Sequence, residues 1–117
     1  MNLKIATAHK PSFEHTPKVL KGETIRFLKF DPKNPKWFFG ADTEAIKGYF
    51  PCGWFEIEPA TGKATAIRDY DGTELSVSPG DTISLIENYG DWSFGRSKKG
   101  IGWIPASCAE ITQNRRD

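Results

Sequence analysis

Hydrophobic and polar positions alternate along this chain in short runs, and Gly, Pro, Asp and Asn interrupt each run after a few residues. Alternation with a period of two is the mark of a half-buried β-strand, whereas an amphipathic helix repeats its apolar residues every three or four positions. No segment sustains the helical period, so the pattern predicts an all-β fold. In the second half, strands are expected near residues 64–67, 82–87, 92–96, 100–105 and 109–111. Phe27, Phe39, Phe50, Phe94 and Trp103 fall on alternating strand positions and are assigned to packing.

The chain also matches itself. Residues 21–28 (KGETIRFL) align with 79–86 (PGDTISLI) at an offset of 58, and Trp37-Phe38-Phe39-Gly40 aligns with Trp92-Ser93-Phe94-Gly95 at 55. Gly48-Tyr49-Phe50-Pro51 aligns with Gly102-Trp103-Ile104-Pro105, and Glu56-Ile57 with Glu110-Ile111, both at 54. The matches stay in order and the offset drifts only where loops differ in length. They predict a division into a first domain at 1–58, a short turn-rich linker at 59–63, a second domain at 64–112 and a polar tail at 113–117. So short a linker forces the two copies to pack closely, and each copy is small enough to benefit from that.

In the second copy, Ala66-Ile67-Arg68-Asp69-Tyr70 resembles the ALYDY opening of SH3 domains, and Glu74-Leu75-Ser76-Val77 with Pro79-Gly80-Asp81 resembles their ELSF and KGD segments. Gly90-Asp91-Trp92-Ser93-Phe94-Gly95-Arg96 is similar to the DWW-x-AR strand. Gly102-Trp103-Ile104-Pro105-Ala106-Ser107-Cys108 is similar to the closing G-x-IPSNY stretch. The first copy inherits the resemblance through the internal match. The resemblance implies two tandem SH3-like five-stranded barrels packed closely together. Each would carry a shallow aromatic groove that takes proline-rich peptides.

On that resemblance, Tyr70, Trp92 and Pro105 line the groove of copy two, with Asp71 and Glu74 as acids that orient a basic residue of the ligand. Arg68 stands where ALYDY has its tyrosine, Ser107 replaces the asparagine, and Cys108 replaces the last tyrosine of the family pattern. In copy one, Trp37 and Pro51 correspond to Trp92 and Pro105, and Trp54 falls opposite Cys108. Phe13 is the candidate there for the missing tyrosine. Flat aromatics suit a polyproline II ligand, which is already extended and packs its prolines between rings. The expected function is therefore a non-catalytic adaptor binding extended proline-containing or basic peptides of a partner protein. The alternative is an assembly module whose grooves are buried between the copies.

Charge and chemistry narrow the picture further. With 16 basic and 15 acidic residues the net charge is +1, and neither half departs far from balance, which disfavours counterion-driven nucleic-acid binding. Lys29, Lys33 and Lys36 before Trp37 keep a nucleic-acid-binding barrel as the third reading. No nucleophile with a base, carboxylate pair or metal-ligand spacing is evident, so neither catalysis, metal nor cofactor is expected. His9 and His15 share one loop, and Cys52 with Cys108 makes no paired motif. The sequence shows no apolar run of membrane length and no secretory leader, so a cytoplasmic address is the default expectation.

Overall fold

The computed structural model describes residues 1–11 and 15–111, so the expectations about Phe13 and the polar tail at 113–117 lie outside the described residues. Twelve short strands follow one another among the described residues. They are β1 (Asn2–Ile5), β2 (Lys18–Val19), β3 (Thr24–Phe30), β4 (Trp37–Ala41), β5 (Lys47–Pro51), β6 (Phe55–Glu58), β7 (Lys63–Ala66), β8 (Tyr70–Asp71), β9 (Thr82–Tyr89), β10 (Trp92–Ser97), β11 (Gly100–Pro105) and β12 (Ala109–Ile111). Short 3-10 turns at Cys52–Trp54 and Ala106–Cys108 join β5 to β6 and β11 to β12. The fold is all-β, as the alternation predicted.

The chain divides into two compact units, one holding residues 1–14 and 73–117 (unit 1) and the other residues 15–72 (unit 2). Unit 1 carries a five-stranded antiparallel sheet in the order β11-β10-β9-β1-β12. Its core cluster is Leu3, Ile5, Leu75, Val77, Ile83 and Ile104. Unit 2 carries a sheet in the order β5-β4-β3-β7-β6 and a two-stranded ribbon of β2 and β8. Its core is aromatic, with Phe38 stacked on Phe50 at 5.3 Å and Phe55 set edge-on to both.

This division corrects the sequential one at 1–58 and 64–112, because the first strand of each sheet comes from the other repeat. β1 lies between β9 and β12, and β7 lies between β3 and β6. The stretch taken for a linker lies within this arrangement. Residues 59–62 form a tight turn in which the Gly62 amide donates to Glu58 O at 3.0 Å, and Glu58 pairs with Lys63 across it. β6 and β7 are therefore the two arms of one hairpin.

The repeat itself is reproduced in space. Leu3 faces Ile83 as Ala64 faces Ile25, and Ile5 faces Ala109 as Ala66 faces Phe55. Each long strand carries a bulge at the same place: Leu28 on β3 and Ile86 on β9 are left without a ladder partner, and both are exposed. Gly40 and Gly95 stand opposite these bulges. A Cβ on Gly40 would run into Arg26 O, and one on Gly95 would meet Ile83 Cγ2 and lie 2.9 Å from Ser84 O. At these two positions the ladder admits no side chain.

Candidate functional site

Because the first strands cross over, the residues expected in one groove are distributed differently. Tyr70 and Asp71 belong to unit 2, on β8, whereas Glu74, Trp92 and Pro105 belong to unit 1. Tyr70 thus joins Trp37, Pro51 and Trp54, the set expected for copy one. Its place in unit 1 is taken by His9, expected from the sequence to lie in a loop with His15.

The equivalence of His9 and Tyr70 follows from the ladders. The Ala6 amide donates to Cys108 O as the Ile67 amide donates to Trp54 O, and three residues further on His9 pairs with Val77 as Tyr70 pairs with Val19. The signal that would have found it is an offset of 61 between residues 5–9 and 66–70, where the sequence itself shows little identity.

Unit 2 assembles its aromatic set and closes it. Trp37 and Pro51 are register partners on β4 and β5, and Trp54 meets Tyr70 edge-on at 5.7 Å. Tyr70 packs on Phe50 at 5.6 Å and donates its hydroxyl to Tyr49 O at 3.0 Å. Trp37, Trp54 and Tyr70 are each 5–6% exposed, and Pro51 is buried. Arg68, the departure from the ALYDY pattern, places its guanidinium 3.6 Å from the centre of the Trp54 ring and so occupies that ring's face. Tyr70→Phe is expected to cost about 1 kcal/mol, since the carbonyl of Tyr49 loses a donor while the ring packing stays. The denaturant midpoint, with an unchanged slope, measures this.

Unit 1 assembles a different site. Trp92 opens β10 and pairs with Pro105 on β11, and the Ala106 amide donates to Asp91 O at 2.7 Å, pinning the turn beside them. His9 sets its ring edge-on to Trp92 at 5.9 Å and shares a hydrogen bond of 2.9 Å between Nε2 and Glu74 Oε1. Both members of this pair are largely shielded, with side-chain exposures of 14% and 12%. Trp92 and Pro105 are half-buried, unlike their counterparts Trp37 and Pro51. The residues equivalent to Arg68 and Trp54 of unit 2 are Thr7 and Cys108.

Of the residues assigned to packing, Phe27, Phe50 and Trp103 are buried, while Phe39 and Phe94 are half-buried against Tyr49 and Trp103 at 5.2 and 4.9 Å. Cys52 and Cys108 are free thiols, and burial pushes the Cys52 thiol above its usual pKa, away from a reactive thiolate. Among the described residues, no group of three or more His, Cys, Asp or Glu is placed to hold a metal ion, and no helix is long and apolar enough to cross a membrane.

Residues 65–106 match the SH3 domain family. The match supports an SH3 domain, and with it a protein-protein interaction module of a generally non-catalytic kind. The matched stretch is divided between the two units: it begins on β7 and β8 in unit 2 and continues from Thr73 in unit 1. No curated protein matches the chain.

Proposed function

We propose that the protein is a non-catalytic adaptor built from two SH3-like barrels, in which unit 1 is the binding unit. Its ligand is an extended, proline-containing peptide of a partner protein. The ligand packs against Trp92 and Pro105, with His9 as the adjoining wall. Glu74, which holds His9, adds negative charge at that wall and favours a basic residue in the ligand.

The observation that carries this reading is the contrast between counterpart residues: Trp92 and Pro105 are half-buried, whereas Trp37 is 6% exposed and Pro51 is buried. A polyproline ligand needs an accessible flat ring and loses little entropy in binding one, so unit 1 meets the requirement. In unit 2 the same positions favour a structural role. Arg68 covers Trp54, and Trp37, Pro51 and Tyr70 support the aromatic core. Asp71 pairs with Lys18 in the ribbon of unit 2.

Calorimetric titration with a short synthetic PxxP peptide carrying an arginine tests this. Trp92→Ala is expected to weaken binding by at least about tenfold, as loss of a central aromatic contact does. Trp54→Phe is expected to lower stability and leave affinity unchanged. Unaltered binding by Trp92→Ala, or its loss in a folded Trp54→Phe variant, contradicts the proposal.

A further inference from the structure

β1 and β7 enter their sheets in the same register, so either strand would present its two inward side chains to either core. What differs is size. β1 brings Leu3 and Ile5 into the aliphatic core of unit 1, where Ile5 lies opposite the small Ala109. β7 brings Ala64 and Ala66 beneath the phenylalanines of unit 2, where Ala66 lies opposite the large Phe55. All four are buried, with exposures of 0–5%. The other pairing would set Ala66 against Ala109 and Ile5 against Phe55, leaving a void in one core and crowding the other.

We infer that Leu3, Ile5, Ala64 and Ala66 are the positioning residues that decide which arm lines which groove. Through small-to-large pairs such as Ile5 with Ala109 and Ala66 with Phe55, they send the arm bearing His9 to Trp92 and the arm bearing Tyr70 to Trp54. Each site is thereby composite, made of one arm from one repeat and a sheet from the other, and ligand choice in unit 1 depends on core volumes remote from the ligand. The consequence for ligand choice rests on the binding role proposed for unit 1. The consequence for strand pairing does not.

A competition between thiols tests the pairing. Lys4 and Thr82 face each other in unit 1, and Thr65 faces Thr24 in unit 2; in the other pairing Thr65 would face Thr82. In a chain carrying Cys52→Ser and Cys108→Ala, cysteines are introduced at Lys4, Thr65 and Thr82, and the chain is refolded and oxidised. The linkage is then mapped by proteolysis and mass spectrometry. The native core is expected to link positions 4 and 82. Adding Leu3→Ala, Ile5→Ala, Ala64→Leu and Ala66→Ile is expected to make the linkage between 65 and 82 dominant, within one chain or between two. If this chain keeps the linkage between 4 and 82, the turn at residues 59–62 governs the pairing and the inference is overturned.

Should the enlarged core fail to fold, Leu3→Ala with Ile5→Ala alone carries the test, because it removes volume and adds none. A rise in the linkage between 65 and 82 is expected, and an unchanged ratio overturns the inference. Binding is read separately with the PxxP peptide. His9→Ala is expected to weaken binding in the native core, and Tyr70→Ala to do so in the re-paired chain. Re-pairing without any peptide binding leaves the pairing inference standing and removes the proposed function instead.

Discussion

Deletion of residues 1–5 is expected to unfold unit 1 and leave unit 2 folded. β1 lies between β9 and β12, so its loss opens the sheet in its interior and not at an edge. It also removes Leu3 and Ile5 from the core cluster, where they are 5% and 2% exposed. Truncating one such buried side chain to alanine costs about 2–5 kcal/mol, so losing both with their ladder approaches the whole stability of a small domain, about 5–15 kcal/mol. In a 15N correlation spectrum the amides of residues 73–111 should collapse to unfolded positions, while those around Trp54 and Tyr70 keep their dispersion. Native dispersion throughout would show that β1 is dispensable. The segment matching the SH3 family, residues 65–106, contains no part of β1. It therefore lacks a strand that unit 1 requires.

The second large effect concerns Gly40. Gly40→Ala would drive a methyl group into the backbone oxygen of Arg26 and set it 3.1 Å from a ring carbon of Phe38. The oxygen belongs to the ladder beside the bulge in β3, so relief requires β3 and β4 to separate. The expected loss is about 3 kcal/mol or more, at the upper end of overpacking effects. On a domain of this size it lowers Tm by more than about 10 °C. Thermal denaturation followed by circular dichroism measures it, and a Tm within a few degrees of the parent would mean that the strands can part cheaply. Gly95→Ala should act in the same direction, more mildly, because one of its two neighbours is the Ile83 methyl.

The all-β class and the internal match were legible in the chain because both rest on local pattern. Ile25 and Ile83, Gly40 and Gly95, and Gly48 and Gly102 occupy equivalent positions in the two sheets, as their offsets indicated. Which first strand joins which sheet was not legible from alternation, since Leu3-Lys4-Ile5 and Ala64-Thr65-Ala66 show the same inward and outward pattern. The turn at 59–62 joins β6 and β7 as one hairpin, and a turn between two alternating runs reads equally well as a linker.

The candidate site suffered from the same ambiguity. The family resemblance groups Tyr70 with Trp92, yet the chain passes between units at Gly72 and Thr73. His9 reads as a loop residue in the sequence because imidazole is a poor match to a tyrosine. The closure of unit 2 depends on Arg68 reaching across to Trp54, a contact that no spacing rule encodes.

The binding groove proposed for unit 1 is lined by His9 from one repeat and Trp92 from the other. The most direct measurement follows the indole N–H signals of Trp37, Trp54, Trp92 and Trp103 and the imidazole signals of His9 and His15 in one NMR titration with the PxxP peptide. The account predicts that Trp92 and His9 shift together and saturate at one affinity, while Trp37 and Trp54 stay in place. Movement of Trp54 or Trp37 without Trp92, or a shift of Trp92 that leaves His9 unmoved, contradicts it.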